Sequence, residues 1–384
     1  MSIQTSNNKI NSLQGLRVIA FLGVFLTHSE IKEFGPLGIQ SVSIFYILSG
    51  FVMLLSYYKK NRFQDISIRG NLLFAWNKVR GLYPLHILTT ILMLVFLVRS
   101  DADHHLLLLF VKLLLNLFLI QEWFPLANAS INGVSWYLSV SLFCYFLFPY
   151  LLHALEKIRN KKDVLLLLIL LFEFQFILGL LVSTISTPND STGWFTNDYT
   201  YWLTYKFPPL RLFDFIIGTC LGLLYKLRLG DQNSLPVGTS DSRSSLLSEF
   251  KIISVLILSA LLEIFVLSST AAHLFLPNDN SHWWTTAFLY SIPSCLIIWL
   301  TATGNSFWSR WLASNRMIKL ADYTKYAFLI HFTVFTYLGV LTKLLFGKKF
   351  YSLYGSCIKI TIGMVLTIFL SVLTDQIIRK KGHR

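Results

Sequence analysis

Eleven apolar runs, most of them close to membrane-crossing length, fall at about 16–29, 38–57, 82–99, 106–120, 135–153, 163–184, 208–226, 251–270, 283–302, 322–342 and 354–377. A helix that crosses a bilayer needs about 20 consecutive apolar residues, and some manage with fewer. The runs therefore predict an all-α polytopic membrane protein. Composition agrees, with 54% hydrophobic and 14% charged residues in a chain of 384, where a soluble domain carries about a quarter charged.

A net charge of +14 invites a nucleic-acid reading. The basic residues, however, gather in a few loops between the apolar runs, a pattern that marks membrane topology rather than nucleic-acid binding. Six of them lie in 58–81 (Lys59, Lys60, Arg62, Arg69, Lys78 and Arg80), four in 154–162, four in 226–251 and three in 303–319. Arg379, Lys380, Lys381 and Arg384 close the chain, and 121–134, 185–205 and 271–282 carry neither Lys nor Arg. Basic loops mark the cytoplasmic side. The alternation holds if one crossing occurs between 82 and 134, so 106–120, short and bearing Lys112, is expected to be a re-entrant or interfacial helix. The result is about ten spans with both termini cytoplasmic, and only Lys343, Lys348 and Lys349 fall on the wrong side.

One transmembrane domain is expected at 13–378, between a polar tail (1–12) and a basic tail (379–384), with 229–249 a flexible cytoplasmic loop. An arginine opens the first apolar run and no small-residue cleavage site follows, which excludes a cleaved signal peptide. Cys144, Cys220, Cys295 and Cys357 lack disulfide or metal spacing and read as small core residues; no metal is expected.

Ionisable residues inside membrane helices are functional candidates because each is costly to bury. Here they are Arg17, His28, His86, Glu173, Arg211, Asp214, Glu263 and His331. Arg211 and Asp214 stand at i, i+3 and invite mutual pairing. Glu173 and Glu263 read as interhelical hydrogen-bond formers. Arg17 and His28 are eleven residues apart, which places them within about 20° on one helix face and roughly 16 Å apart along the axis. Topology puts Arg17 at the cytoplasmic end, joined there by Lys78 and Arg80. Such a cationic cluster suits a phosphate-bearing ligand. His28, deeper on the same face, has the pKa range of a general base. Trp123, Asn132 and Trp136 fall on the outer side, where aromatic faces and amides suit sugar rings. Ser49 in ILSGF invites a nucleophile reading, but it lacks an evident base nearby in sequence.

In order, the chain carries R-x10-H, SIFYILSGFVM, K-x-R-x-x-YP, WYLSVSLFCYFLFP, P-x-R-x-x-DFxxG and YAFLIH, from about residue 13 to 335. Together these resemble the membrane acyltransferase-3 family, bacterial enzymes that move acetyl groups from cytoplasmic acetyl-coenzyme A to sugars of surface polysaccharides. The resemblance implies a ten-helix core in the bacterial cytoplasmic membrane, His28 as catalytic base, and Arg17 holding the acetyl-CoA donor with Lys78, Arg80 and Arg211. It also implies a polysaccharide or lipid-linked glycan acceptor and carries the family's late tyrosine and histidine onto Tyr326 and His331. Two departures stand out. Gly81 replaces the second arginine of an R-x-x-R pair, with Arg80 one place away, and Ser141 replaces a glutamate that many members carry. They imply a different acceptor or an altered activity. The chain resembles the stand-alone form, without a soluble esterase-like domain after the last helix. A proton-coupled transporter or flippase and an inactive acyltransferase-like protein are the competing readings.

Overall fold

The computed structural model describes residues 10–29, 31, 34–59, 63, 66–100, 106–128, 130–183, 199–232, 251, 254, 290–304, 306–346 and 353–382. Among them there is no strand. The helices are α1 (Asn11–Thr27), α2 (Gly35–Tyr57), α3 (Ile68–Val79), α4 (Tyr83–Ser100), α5 (Leu106–Leu117) and α6 (Trp136–Leu155). They continue with α7 (Lys161–Ser183), α8 (Pro208–Gln232), α9 (Ser291–Thr303), α10 (Phe307–Leu312), α11 (Asn315–Phe346) and α12 (Leu353–Gly382). Among the described residues, Gly35–Tyr57, Trp136–Leu155, Trp202–Leu229, Asn315–Phe346 and Gly355–Arg379 are long and apolar enough to cross a membrane. The pair α3–α4, bent by 66°, adds a sixth if it counts as one broken span. This is an integral membrane protein built of α-helices.

Helix α2 is the centre of the bundle. Its 23 residues are apolar nearly all round, and it packs on α1, α8, α9 and α6; a helix without a polar face belongs in the interior. Its closest neighbour is α8, and two glycines explain why. A Cβ on Gly50 would strike the carbonyl oxygen of Phe215, and one on Gly218 would strike that of Ile47. Backbone thus meets backbone at the α2–α8 crossing. Lipid is as apolar as the core, so close packing of this kind is what holds membrane helices together. The glycines of ILSGF and DFIIG therefore serve the same contact from opposite sides.

Several expectations change. The basic stretch 58–81 is a helix over Ile68–Val79, started by Ser67, whose Oγ accepts from the Gly70 N–H at 3.0 Å. Its apolar residues split between a face buried on α6 (Ala75, Val79) and an exposed one (Ile68, Leu72, Leu73, Trp76), as an amphipathic helix requires. Helix α5, at 12 residues, is too short to cross, and two 3₁₀ turns, Gln121–Trp123 and Pro125–Ala127, follow it. Among the described residues Glu173 makes no interhelical hydrogen bond. It lies on the exposed stripe of α7 with Leu166, Leu170 and Ile177, while Gln175, two residues on, faces inward. Cys144, Cys220 and Cys295 are buried, but Cys357 is exposed on α12. The expected span 251–270 lies, apart from residues 251 and 254, outside the described residues, and Glu263 with it.

Candidate functional site

Helix α1 ends at Thr27, and His28 caps it. Its ring turns back on the helix, with Nδ1 2.8 Å from the Val24 carbonyl, one of the oxygens a helix end leaves without an intrahelical partner. From α11, His331 reaches the same point: its Nε2 lies 3.2 Å from His28 Nδ1, and its own Nδ1 lies 3.1 Å from the Ala327 carbonyl. A carbonyl oxygen only accepts, so each of these carbonyls assigns a proton to the Nδ1 facing it. His28 Nδ1–H then donates to Val24 and toward the unprotonated Nε2 of His331. The Nε2 of His28 keeps its lone pair and has no hydrogen bond among the described residues. His331 is fully buried, and His28 is partly exposed. Phe21, Phe25, Phe328 and Phe332 pack around the two imidazoles, with ring centroids 5.3–6.2 Å away.

Three helical turns back along α1, Arg17 lines a cavity of about 770 Å³, within the usual size of a small-molecule site. Its guanidinium donates to Gln14 Oε1 at 2.9 Å. One end of the cavity is ringed by exposed residues: Ser56, Lys78, Asp322 and Lys325. Lys78 donates to the Tyr57 hydroxyl at 2.8 Å, and its ammonium lies over the Tyr57 and Phe74 rings. The other end is walled by Phe45, Tyr137, Phe328 and Leu329. On α2 the lining runs from Phe45 to Ser56, a depth of roughly 16 Å at 1.5 Å per residue. Midway, Ser49 Oγ and Tyr145 Oη lie 3.1 Å apart, both in the wall. The partner that Ser49 lacked in sequence is thus a tyrosine 96 residues away.

The remaining candidates separate from this cavity. Arg80 is exposed at the C-terminal end of α3 and does not line it. Arg211 is 2% exposed and paired with Asp214 at 2.8 Å. Asp214 also accepts from Gln175 Nε2 at 3.0 Å and Ser291 Oγ at 2.8 Å, and the Arg211 guanidinium lies over the Tyr205 ring. This junction ties α7, α8 and α9 together. Asn132 and Trp136, expected on the outer side of the membrane as sugar contacts, are buried. Asn132 donates to Thr89 Oγ1 at 2.9 Å and reaches the Leu329 carbonyl at 3.5 Å, holding the loop before α6 to α4 and α11. Trp136 packs between Tyr46 and Tyr205. Trp123 alone of the three keeps substantial exposure, 36%, and it contacts Phe143 and Phe207. Tyr326 is buried in a cluster with Val79, Leu85 and Leu138, with Lys325 over its ring. At the two departures, a Cβ on Gly81 would meet open space, and Ser141 is buried between Tyr137 and Tyr145 with its Oγ unpartnered among the described residues.

Sequence reasoning missed Lys325, Asp322, Ser49–Tyr145 and the pairing of His331 with His28. Lys325 stands one position before the YAFLIH motif, close enough to have been noticed. The Ser49–Tyr145 and His331–His28 contacts cross 96 and 303 residues of chain, and no local pattern announces them.

Comparison with known proteins adds three findings. A family model described as an acyltransferase domain, acyltransferase-3, matches residues 10–375. Acyltransferase MdmB from Streptomyces mycarofaciens is 26% identical over 243 residues, a match spanning 57% of this chain and 58% of the relative. No solved structure matches.

Proposed function

This chain belongs to the acyltransferase-3 family, and on that footing we propose that it is an O-acyltransferase. It takes an acyl group, acetyl in the simplest case, from cytoplasmic acyl-coenzyme A and passes it to a sugar hydroxyl of a cell-surface or lipid-linked glycan. The observation that carries the reading is the cavity itself: Lys78 and Lys325 at one end, Arg17 deeper in the wall, hydroxyls midway, and a histidine pair just beyond the other end.

The donor's phosphates rest on Arg17, Lys78 and Lys325, where guanidinium and ammonium groups bind them by charge-assisted hydrogen bonds. Arg80, exposed on the following turn, adds to the positive potential outside the cavity. The pantetheine arm lies along the wall, its amides facing Ser49 and Tyr145. The thioester carbonyl comes to His28, whose Nε2 lone pair takes the proton of the acceptor hydroxyl. The alkoxide oxygen attacks the carbonyl carbon, the C–S bond breaks, and the leaving thiolate recovers the proton from the imidazolium. His331 positions the base by accepting from its Nδ1–H, and is not itself in contact with substrate. Trp123, with the buried Asn132 and Trp136 behind it, sits where the glycan would approach. In this reading the ten-span topology holds, both termini are cytoplasmic, and the membrane is the bacterial cytoplasmic one.

The test is acetyl transfer in proteoliposomes given labelled acetyl-coenzyme A and a polysaccharide extract. Wild-type protein is expected to label the glycan, and His28→Ala to lose about 10²–10⁴-fold in rate, the usual contribution of a general base. Equal transfer by both would remove His28 from the mechanism. No binding of acetyl-coenzyme A by the wild type would remove the donor and favour the transporter.

A further inference from the structure

The cavity and the histidine pair do not meet. On α1 the cavity lining stops at Arg17, and on α11 it stops at Leu329, two residues short of His331. Three rings stand at this boundary, each from a different helix: Phe45 of α2, Tyr137 of α6 and Phe328 of α11. Every pair is in contact, with centroids 6.1 Å (Phe45–Tyr137), 5.9 Å (Phe45–Phe328) and 5.0 Å (Tyr137–Phe328) apart. All three line the inner end of the cavity. Phe328 also meets the His331 imidazole at 5.9 Å. Phe328 therefore has the cavity on one side and the histidine pair on the other, and Phe45 and Tyr137 stand against it at the cavity's inner end.

We propose that Phe45, Tyr137 and Phe328 form an aromatic gate that limits the length of acyl group transferred and keeps water from the thioester until an acceptor is present. The proposal rests on the acyltransferase reading above. An acyl group that reaches His28 from the cavity passes between these rings, so the opening they allow sets the chain length admitted. The contacts suit that task. Phe45 meets Phe328 edge to face at 82°, and such aromatic pairs hold by weak dispersion and quadrupole attraction rather than by hydrogen bonds. Tyr137 is the fixed post, since the Tyr46 ring packs against it at 4.7 Å, tilted by 36°, and donates its hydroxyl to the Tyr137 carbonyl. Phe45 and Phe328 are the movable leaves. The reaction they hold back is hydrolysis: water adds to the thioester carbonyl, the C–S bond breaks, and the carboxylic acid and the coenzyme thiol are released with no change of oxidation state.

The test compares wild type with Phe328→Ala, and with Phe45→Ala in case the first variant fails to fold, in proteoliposomes supplied with acetyl- or butyryl-coenzyme A. Two rates are read: thiol release without any acceptor, and the ratio of butyryl to acetyl transfer with the glycan extract present. Each alanine variant is expected to raise acceptor-free thiol release about tenfold, a barrier drop of about 1.4 kcal/mol, and to raise the butyryl-to-acetyl ratio as well. A merely structural role would lower thermal stability and leave the ratio where it was. Unchanged release and ratio, in a variant that still binds acetyl-coenzyme A, would overturn the gate. A wild type that fails to bind acetyl-coenzyme A would overturn the acyltransferase reading and the gate together.

Discussion

At the scale of single residues, the arrangement turns on which atom carries a proton. Val24 and Ala327 offer only carbonyl oxygens to the two imidazoles, so both rings are held with Nδ1 protonated, and His28 presents Nε2 as a base. If His331 acts through that hydrogen bond, an acceptor at its position matters more than an imidazole. His331→Leu is expected to lower the transfer rate about tenfold, or about 1.4 kcal/mol in the barrier, with KM for the donor unchanged. His331→Gln, which can present Oε1 to the Nδ1–H of His28, is expected to recover part of the loss; equal damage from both variants would make His331 a packing residue only. Arg17 gives the opposite signature. Arg17→Lys keeps the charge but loses the planar fork that grips phosphate with two bonds. One hydrogen bond to a charged group is worth about 1.5 kcal/mol, so KM for acyl-coenzyme A should rise about tenfold with kcat little changed.

Among the helices, two devices hold the frame on which those residues sit. The first is the α2–α8 crossing, where Gly50 and Gly218 let backbones touch. Gly218→Val would push a branched side chain into the Ile47 carbonyl, and overpacking of this kind costs about 1–3 kcal/mol. A clear drop in melting temperature in detergent is the expected result. Gly35→Ala, at a position with nothing within 4 Å of a Cβ, should melt with the wild type. The second device is the buried Arg211–Asp214 pair, braced by Gln175 and Ser291. Arg211→Met leaves the Asp214 carboxylate buried without its counter-charge, and breaking a buried pair on one side costs about 3–5 kcal/mol. Arg211→Met combined with Asp214→Leu should regain much of that stability, because neither charge is then left alone. A double variant as unstable as the single one would mean that the site serves the fold in some way other than charge balance. The pairing expected from the i, i+3 spacing is what the structure holds, and it takes Arg211 out of the cavity wall.

For the molecule as a whole, orientation in the membrane governs which reactant arrives from which side. The proposed mechanism needs the Lys78–Lys325 end in the cytoplasm and the α1–α2 connection outside. Gly81 and Gly35 stand near these two ends, and a Cβ at either meets open space. Single cysteines placed there, with the exposed Cys357 changed to serine, can therefore be labelled without disturbing the fold. A membrane-impermeant maleimide should reach Gly35→Cys in intact cells and Gly81→Cys only after permeabilisation. The reverse pattern would invert the topology and sink the cytoplasmic donor with it.

The sequence alone determined the class of fold. Apolar runs and basic loops are local and cumulative signals, so an all-α membrane protein could be read from them, whereas the helical period offers Arg17 and His28 on one face only as an expectation. The burial of single polar and aromatic residues was not legible in the same way. Glu173 falls on the outward stripe of α7, and Asn132 and Trp136 lie in a loop and helix start that turn inward. Other features were decided by the tertiary structure, because they depend on residues from distant parts of the chain meeting. His331 reaches His28 across 303 residues, Tyr145 reaches Ser49 across 96, and three rings from three helices close one end of the cavity. Each of those contacts exists only once α1, α2, α6 and α11 have packed, and packing depends on shape at every neighbour at once, which no local stretch of sequence records.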